Sequence, residues 1–274
     1  MEKIHAKAGQ DSMYISAIQV TFNHTFIVKK HLLTSLLLLS SLLCTAESLE
    51  IPGKIKGCKE QIIKHAGYTV SYNSDLLIPN WVAYSLTADK ANGTVKRSGD
   101  FIPDPLVKGA TAVSSDYTGS GYDRGHMAPA GDMKWSRQAM IESFYLSNIC
   151  PQNNNLNGGD WRILEEKVRD WARKYGTVYV VCGPVMANNH KTIGENKVAV
   201  PAGFFKVILR RTSGKNGYTA IGYFMKNEAE HRKLVTYARC VEDIEIITGI
   251  DFFPSLPNRI ESKVEESLVL DDWR

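Results

Sequence analysis

Gly121-Tyr122-Asp123-Arg124-Gly125-His126-Met127-Ala128-Pro129-Ala130 opens the densest run of chemically able side chains in the sequence. Ser147-Asn148-Ile149-Cys150-Pro151-Gln152 continues it, and Asn157, Trp161, Glu165 and Arg169 complete it. The last of these lie on a predicted helix from about Asp160 to Lys174. Trp161, Leu164, Val168 and Trp171 recur there at helical spacing, Arg173-Lys174 sit in the last turn, and Gly176 follows as a stop. Glu165 and Arg169 are four residues apart, so they share one face of that helix.

Working outward, Tyr68-Thr69-Val70-Ser71-Tyr72 and Asn80-Trp81-Val82-Ala83-Tyr84-Ser85-Leu86 read as strands around a turn at Asn73-Ser74-Asp75. Residues 88–120 are rich in Gly, Pro, Asp, Ser and Thr and read as a long functional loop. Gln138 to Phe144 suits a short helix, and Tyr145-Leu146-Ser147-Asn148-Ile149 looks strand-like. Thr177–Cys182 reads as a buried strand. Phe204–Leu209 and Tyr218–Phe224 form a hairpin across Gly214–Gly217, 228–248 reads as an amphipathic helix, and the tail after Pro257 reads as peripheral. Strands that pair with sequence neighbours and helices that fall in blocks predict an α+β fold with a central antiparallel sheet flanked by helices.

The N-terminus has another character. Lys29-Lys30-His31 precedes an apolar run of about twelve residues, Leu32 to Leu43, and then Cys44-Thr45-Ala46. This predicts a signal peptide over 1–46, a leader over 47–67 that is irregular or weakly helical, and a domain over 68–274. The protein is then expected to be secreted or periplasmic, with no stable membrane association once the signal is cleaved. An uncleaved anchor is the alternative. The 28 residues before Lys29 are long for a signal, which makes Met13 a second candidate start. The whole chain has 33 Lys+Arg and 29 Asp+Glu, a formal charge of +4. Removing residues 1–46 takes four of the former and two of the latter, which leaves +2. So mild a charge permits a polyanionic substrate without arguing for one. Cys58, Cys150, Cys182 and Cys240 have no C-x-x-C spacing, which speaks against zinc. In an exported chain an even number suggests disulfides, although Cys182 suits a buried free thiol equally well.

The central run fits one chemistry. Cutting a phosphodiester takes a base for water, positive charge for the crowded phosphorus and help for the leaving oxygen. Histidine titrates near neutrality, arginine offers a planar fork of donors, and hydrated Mg²⁺ acts as Lewis acid through few protein oxygens. These spacings alone leave blander readings open: an i,i+4 Glu–Arg pair is often a solvated ion pair, and Asn157 could be a helix N-cap.

The stretch resembles the DNA/RNA non-specific endonucleases of the ββα-metal type, which include bacterial sugar-non-specific nucleases and mitochondrial endonuclease G. Asp123-Arg124-Gly125-His126 stands as the D-R-G-H motif, with Met127-Ala128-Pro129 continuing it. Asn148 to Gln152 resembles the N-x-x-P-Q segment, and Asn157 through Trp161 to Glu165 the helix entry. Asn80–Tyr84 and Val181–Pro184 resemble strands on either side, so the likeness spans roughly residues 68–255. It implies His126 as general base, Asn157 as the sole direct protein ligand of Mg²⁺, and Glu165 holding metal-bound water. It implies Arg124 and Arg169 at the phosphate, Arg97 (with Lys96 as rival) binding substrate, and Asn148 and Gln152 lining the site. DNA and RNA would be cut with little sequence preference, giving 5′-phosphorylated ends. A hard oxygen site also accepts Mn²⁺. The oligomeric state stays open, with a homodimer as one outcome. Three other functions compete: a non-catalytic nucleic-acid-binding homologue, a phosphodiesterase for small phosphoesters, and a sequence-specific or toxin-type nuclease.

Overall fold

The computed structural model describes residues 48–214 and 216–274. The signal-peptide expectation falls on residues outside these. The principal sheet contains, among the described residues, seven strands in the order β1-β2-β3-β6-β9-β10-β11, every adjacent pair antiparallel. They are β1 Gln61–Lys64, β2 Thr69–Asn73, β3 Ile78–Thr87, β6 Thr177–Val185, β9 Gly203–Arg211, β10 Tyr218–Lys226 and β11 Ala238–Arg239. Two smaller ribbons join β4 Asp123–His126 to β5 Ile149–Gln152, and β7 Thr192–Ile193 to β8 Val198–Ala199. The helices are α1 Ala88–Ala91, α2 Arg137–Glu142, α3 Asn154–Leu156, α4 Arg162–Tyr175, α5 Val241–Thr248 and α6 Asn258–Glu265.

The central strands are buried on both faces. Val82, Tyr84, Val178, Val180, Phe204 and Ile208 belong to one apolar cluster together with Trp161, Leu164, Val168 and Trp171 of the α4 region. Trp81, Ala83, Val181, Phe205, Val207 and Leu209 belong to another with α5, α6, Phe252 and Phe253. Alternate residues of each strand therefore feed opposite layers, as the period of two demands. This is the α+β arrangement expected.

Several local readings change. Residues 61–64 of the leader are strand β1, and Leu49, Ile51 and Ile55 pack on the second cluster. The stretch 145–149 is a 3-10 turn, Leu146–Asn148, that leads into β5. Only Val241–Thr248 of the expected 228–248 helix is α-helical, because side chains elsewhere capture the backbone before it. The tail is not peripheral: Trp273 is 3 % exposed, and its carbonyl accepts from the Trp171 indole at 2.7 Å. All four cysteines that the structure describes are free thiols.

Candidate active site

The chain leaves the sheet at Thr87 and returns at Thr177, which face each other across β3 and β6. The residues that line the candidate site all lie between them. The β4–β5 ribbon sets its frame by pairing Asp123 with Gln152 and His126 with Ile149. Gly125 is required there: a Cβ on it would lie 2.2 Å from Gln152 Oε1. After β5 the chain turns through α3 and a stretch kinked at Gly159, Asn157–Trp161, into α4. Trp161 is buried in the core, and its indole donates to the His126 carbonyl at 3.3 Å. Helix and ribbon are thereby joined directly behind the histidine.

A cavity of about 360 Å³ opens between them. Arg97, Arg124, His126, Asn157, Glu165 and Arg169 all line it. The fold thus gathers six of the eight predicted site residues.

His126 is 8 % exposed, with its ring against Phe101 (centroids 5.4 Å apart) and edge-to-face with Phe144 (5.0 Å). Burial, with the Arg97 charge adding to it, pushes its pKa down to about 3. The imidazole is therefore neutral at physiological pH, the state a base needs. Its Nε2 has no hydrogen-bond partner within the described chain. Arg124 donates to the Ser114 carbonyl at 2.7 Å and lies over the rings of Phe101 and Tyr117. Arg97 lies 5.0 Å over the Phe144 ring. The ring of Phe144 thus touches both the histidine and an arginine.

Asn157 is held through its nitrogen. Its Nδ2 donates to Asp123 Oδ2 at 2.9 Å, and Asp123 Oδ1 accepts from Asn154. That leaves the amide oxygen of Asn157 as the atom for a ligand. Arg169 donates to Asp132 Oδ1 at 2.8 Å, and Tyr84 donates to Oδ2 of the same carboxylate at 2.8 Å. Burial lowers the Arg169 pKa, but the adjoining Asp132 raises it on balance. Gly131 admits this guanidinium, since a Cβ would approach Arg169 Nη1 to 2.8 Å.

Glu165 also faces the cavity. Burial pushes its carboxyl up to about 8, and Asp132 adds to this although Lys206 opposes it. A buried carboxylate that shares a cavity with the free amide oxygen of Asn157 suits a hard divalent cation. The unfolded chain ionises Glu165 near its ordinary 4.5 and the folded chain near 8, so stability falls as pH rises between those values. Without added divalent ions, Glu165→Gln is expected to melt above the parent at pH beyond 8, and level with it below pH 4.5. Thermal denaturation in EDTA across that range checks this; a gap that does not open with rising pH would refute it.

Two expected lining residues are elsewhere. Asn148 is wholly buried, and its amide holds Ala128 N (2.8 Å), Ala128 O (2.9 Å) and Ser143 O (2.8 Å), so it shapes the backbone after His126 instead of meeting substrate. Gln152 is also fully buried, its amide packed against Gly125. Sequence reading missed Asp132, Phe101, Phe144 and Lys206. Lys206 left a signal: it is a lone charge inside Phe204-Phe205-Lys206-Val207-Ile208, in a central strand. It is fully buried, with Nζ 3.5 Å from the Met127 carbonyl and 4.5 Å over the Trp161 ring.

The chain is similar to known proteins. The mitochondrial nuclease EXOG of Xenopus laevis is 40 % identical over 211 residues, covering 72 % of this chain and 58 % of that protein. Mitochondrial endonuclease G of Bos taurus is 35 % identical over 217 residues, or 74 % and 72 % of the two chains. The chain spans less than two thirds of the EXOG relatives it matches, 56–60 % of their length. Endonuclease G in the crystal structure of the EndoG/EndoGI complex superposes with a TM-score of 0.69 at 30 % identity, covering 77 % of this chain and 91 % of that one. These relatives correct the expectation of a secreted or periplasmic protein, because they are mitochondrial nucleases by name. The family model for DNA/RNA non-specific endonucleases matches residues 47–259, and with two strands, one helix and six converging side chains in place, the chain belongs to that family.

Proposed function

We propose that the chain hydrolyses phosphodiester bonds of DNA and RNA with little sequence preference, in a reaction that depends on a divalent metal, and leaves 5′-phosphates. The observation that carries this is His126: a neutral imidazole on a cavity walled by four arginines and Asn157. His126 takes the proton of the attacking water on its neutral imidazole. Arg97, Arg124 and Arg169 hold the phosphate and balance charge that builds on its oxygens. Asn157 Oδ1 would hold Mg²⁺, or Mn²⁺, and Glu165 on the same cavity would orient the water around it. When bound, the ion supplies Lewis acidity for the leaving 3′-oxygen. The folded domain that does this takes in residues 48–67 as well as 68–274.

Contacts to phosphate position a polymer without reading its bases. Plasmid DNA and total RNA should both be reduced to a smear with Mg²⁺ and stay intact in EDTA. Intact substrates with every divalent metal tried would leave the binding-homologue reading in its place. Phosphate contacts also release counterions, so KM should rise with added salt while kcat changes little. A KM that stays flat across an ionic-strength series would rule out the three-arginine cradle.

A further inference from the structure

Asn157 sits at an irregular junction. Between α3 and α4 the backbone kinks at Gly159 (φ −107°, ψ −113°), with Gly158 beside it. Adjacent glycines give such a stretch little stiffness of its own. Its shape is set from outside, by residues 227–237.

At one end, Asn227 uses its whole amide. Oδ1 accepts from Asn153 N at 2.7 Å, and Nδ2 donates to the carbonyls of Pro151 (3.1 Å) and Pro201 (2.9 Å). At the other end is Asp160, 1 % exposed. Its Oδ2 accepts from Arg232 N at 2.8 Å and from the Tyr237 hydroxyl at 2.7 Å, and its Oδ1 meets His231 Nδ1. An aspartate before a helix ordinarily caps its first turn. Asp160 does not: α4 has no side-chain cap, and the carboxylate faces away toward 231–237. Both ends of the stretch that carries Asn157 are therefore tied to one segment, none of which lines the cavity.

We infer that residues 227–237 form a brace, and that Asp160, Asn227 and Tyr237 are positioning residues that fix the Asn157 oxygen for a divalent cation. The inference rests on reading Asn157 as the metal ligand. A cation held by one protein oxygen binds only as well as that oxygen is ordered beforehand, and supporting contacts of this kind carry much of the affinity.

The test is Mn²⁺ binding to the full chain, followed by electron paramagnetic resonance of the free ion. Tyr237→Phe removes one hydroxyl and keeps the ring; Asp160→Asn turns an NH₂ toward donors; Asn227→Ala frees the other end. Each is expected to weaken Mn²⁺ binding by about 10–100-fold. Cleavage lost at low metal should return at saturating metal, a rescue that general loosening of the fold would not give. Parental Mn²⁺ affinity in Tyr237→Phe and in whichever of the other two folds would overturn the brace. Asn157→Ala separates the two readings. If it loses Mn²⁺ while the brace variants keep it, the brace alone fails. If it binds Mn²⁺ like the parent, the ligand assignment fails and the brace with it.

Discussion

His126→Ala is expected to lower kcat by about 10²–10⁴-fold, the usual share of a positioned base. Folding should survive, because the imidazole is held by Phe101 and Phe144 rather than by hydrogen bonds through Nε2. Substrate affinity should survive too, since the arginines remain. The pH dependence carries a second signature. The unfolded chain protonates His126 near 6.5, but the folded chain only near 3. Its contribution to stability is thus complete above 6.5 and lost as pH falls toward 3. In kcat/KM, which reports the free enzyme, the acid limb due to this base should lie well below 6.5. Single-turnover cleavage across pH, for parent and variant, measures both. A variant as fast as the parent would end the assignment; an acid limb centred at 6.5 would show that the ring titrates as if exposed.

Asp132→Ala should be the most damaging change to stability near the site. The carboxylate is fully buried and holds both Arg169 and the Tyr84 hydroxyl. Removing one partner of a buried ion pair costs about 3–5 kcal/mol, because the other charge stays behind. With roughly 2–4 °C per kcal/mol at this size, the melting temperature should fall by about 10 °C. Activity should fall by about 100-fold even where the variant is folded, because Arg169 loses its seat. Asp132→Asn, which can still accept from Tyr84, should lie between. Thermal melts with kinetics well below the transition test both effects. If Asp132→Ala matches the parent in both, Arg169 is placed by something else.

The helix that carries Glu165 and Arg169 was legible because its stripe from Trp161 to Trp171 repeats at 3.6 residues and ends at Gly176. The sheet was legible because its central strands are runs of Val, Ile and Phe too apolar for any exposed surface. Residues 228–240 misled for the opposite reason. Their composition suits a helix, but Asp160, distant in sequence, takes the Arg232 amide and the Tyr237 hydroxyl. No local pattern encodes such a contact. The same holds for Asp132, six residues past His126 with no motif around it: only the fold brings Arg169 and Tyr84 to it. Asn148 shows the converse error. A motif position drew a functional reading, but a buried amide with three backbone partners has no group left for substrate.

The departure at Thr87 and return at Thr177 bear on how the molecule assembles. Those residues are neighbours across two paired strands, so the whole catalytic excursion is one closed loop on the sheet. Closing a loop grows costly only slowly with length, by about 0.6 kcal/mol per doubling. Insertions within 88–120 should therefore leave the sheet intact and change which polymers can reach the cavity. The same connectivity bears on the rate of folding. β3 and β6 meet only after a long stretch of chain has been bridged, so their pairing is expected to be slow.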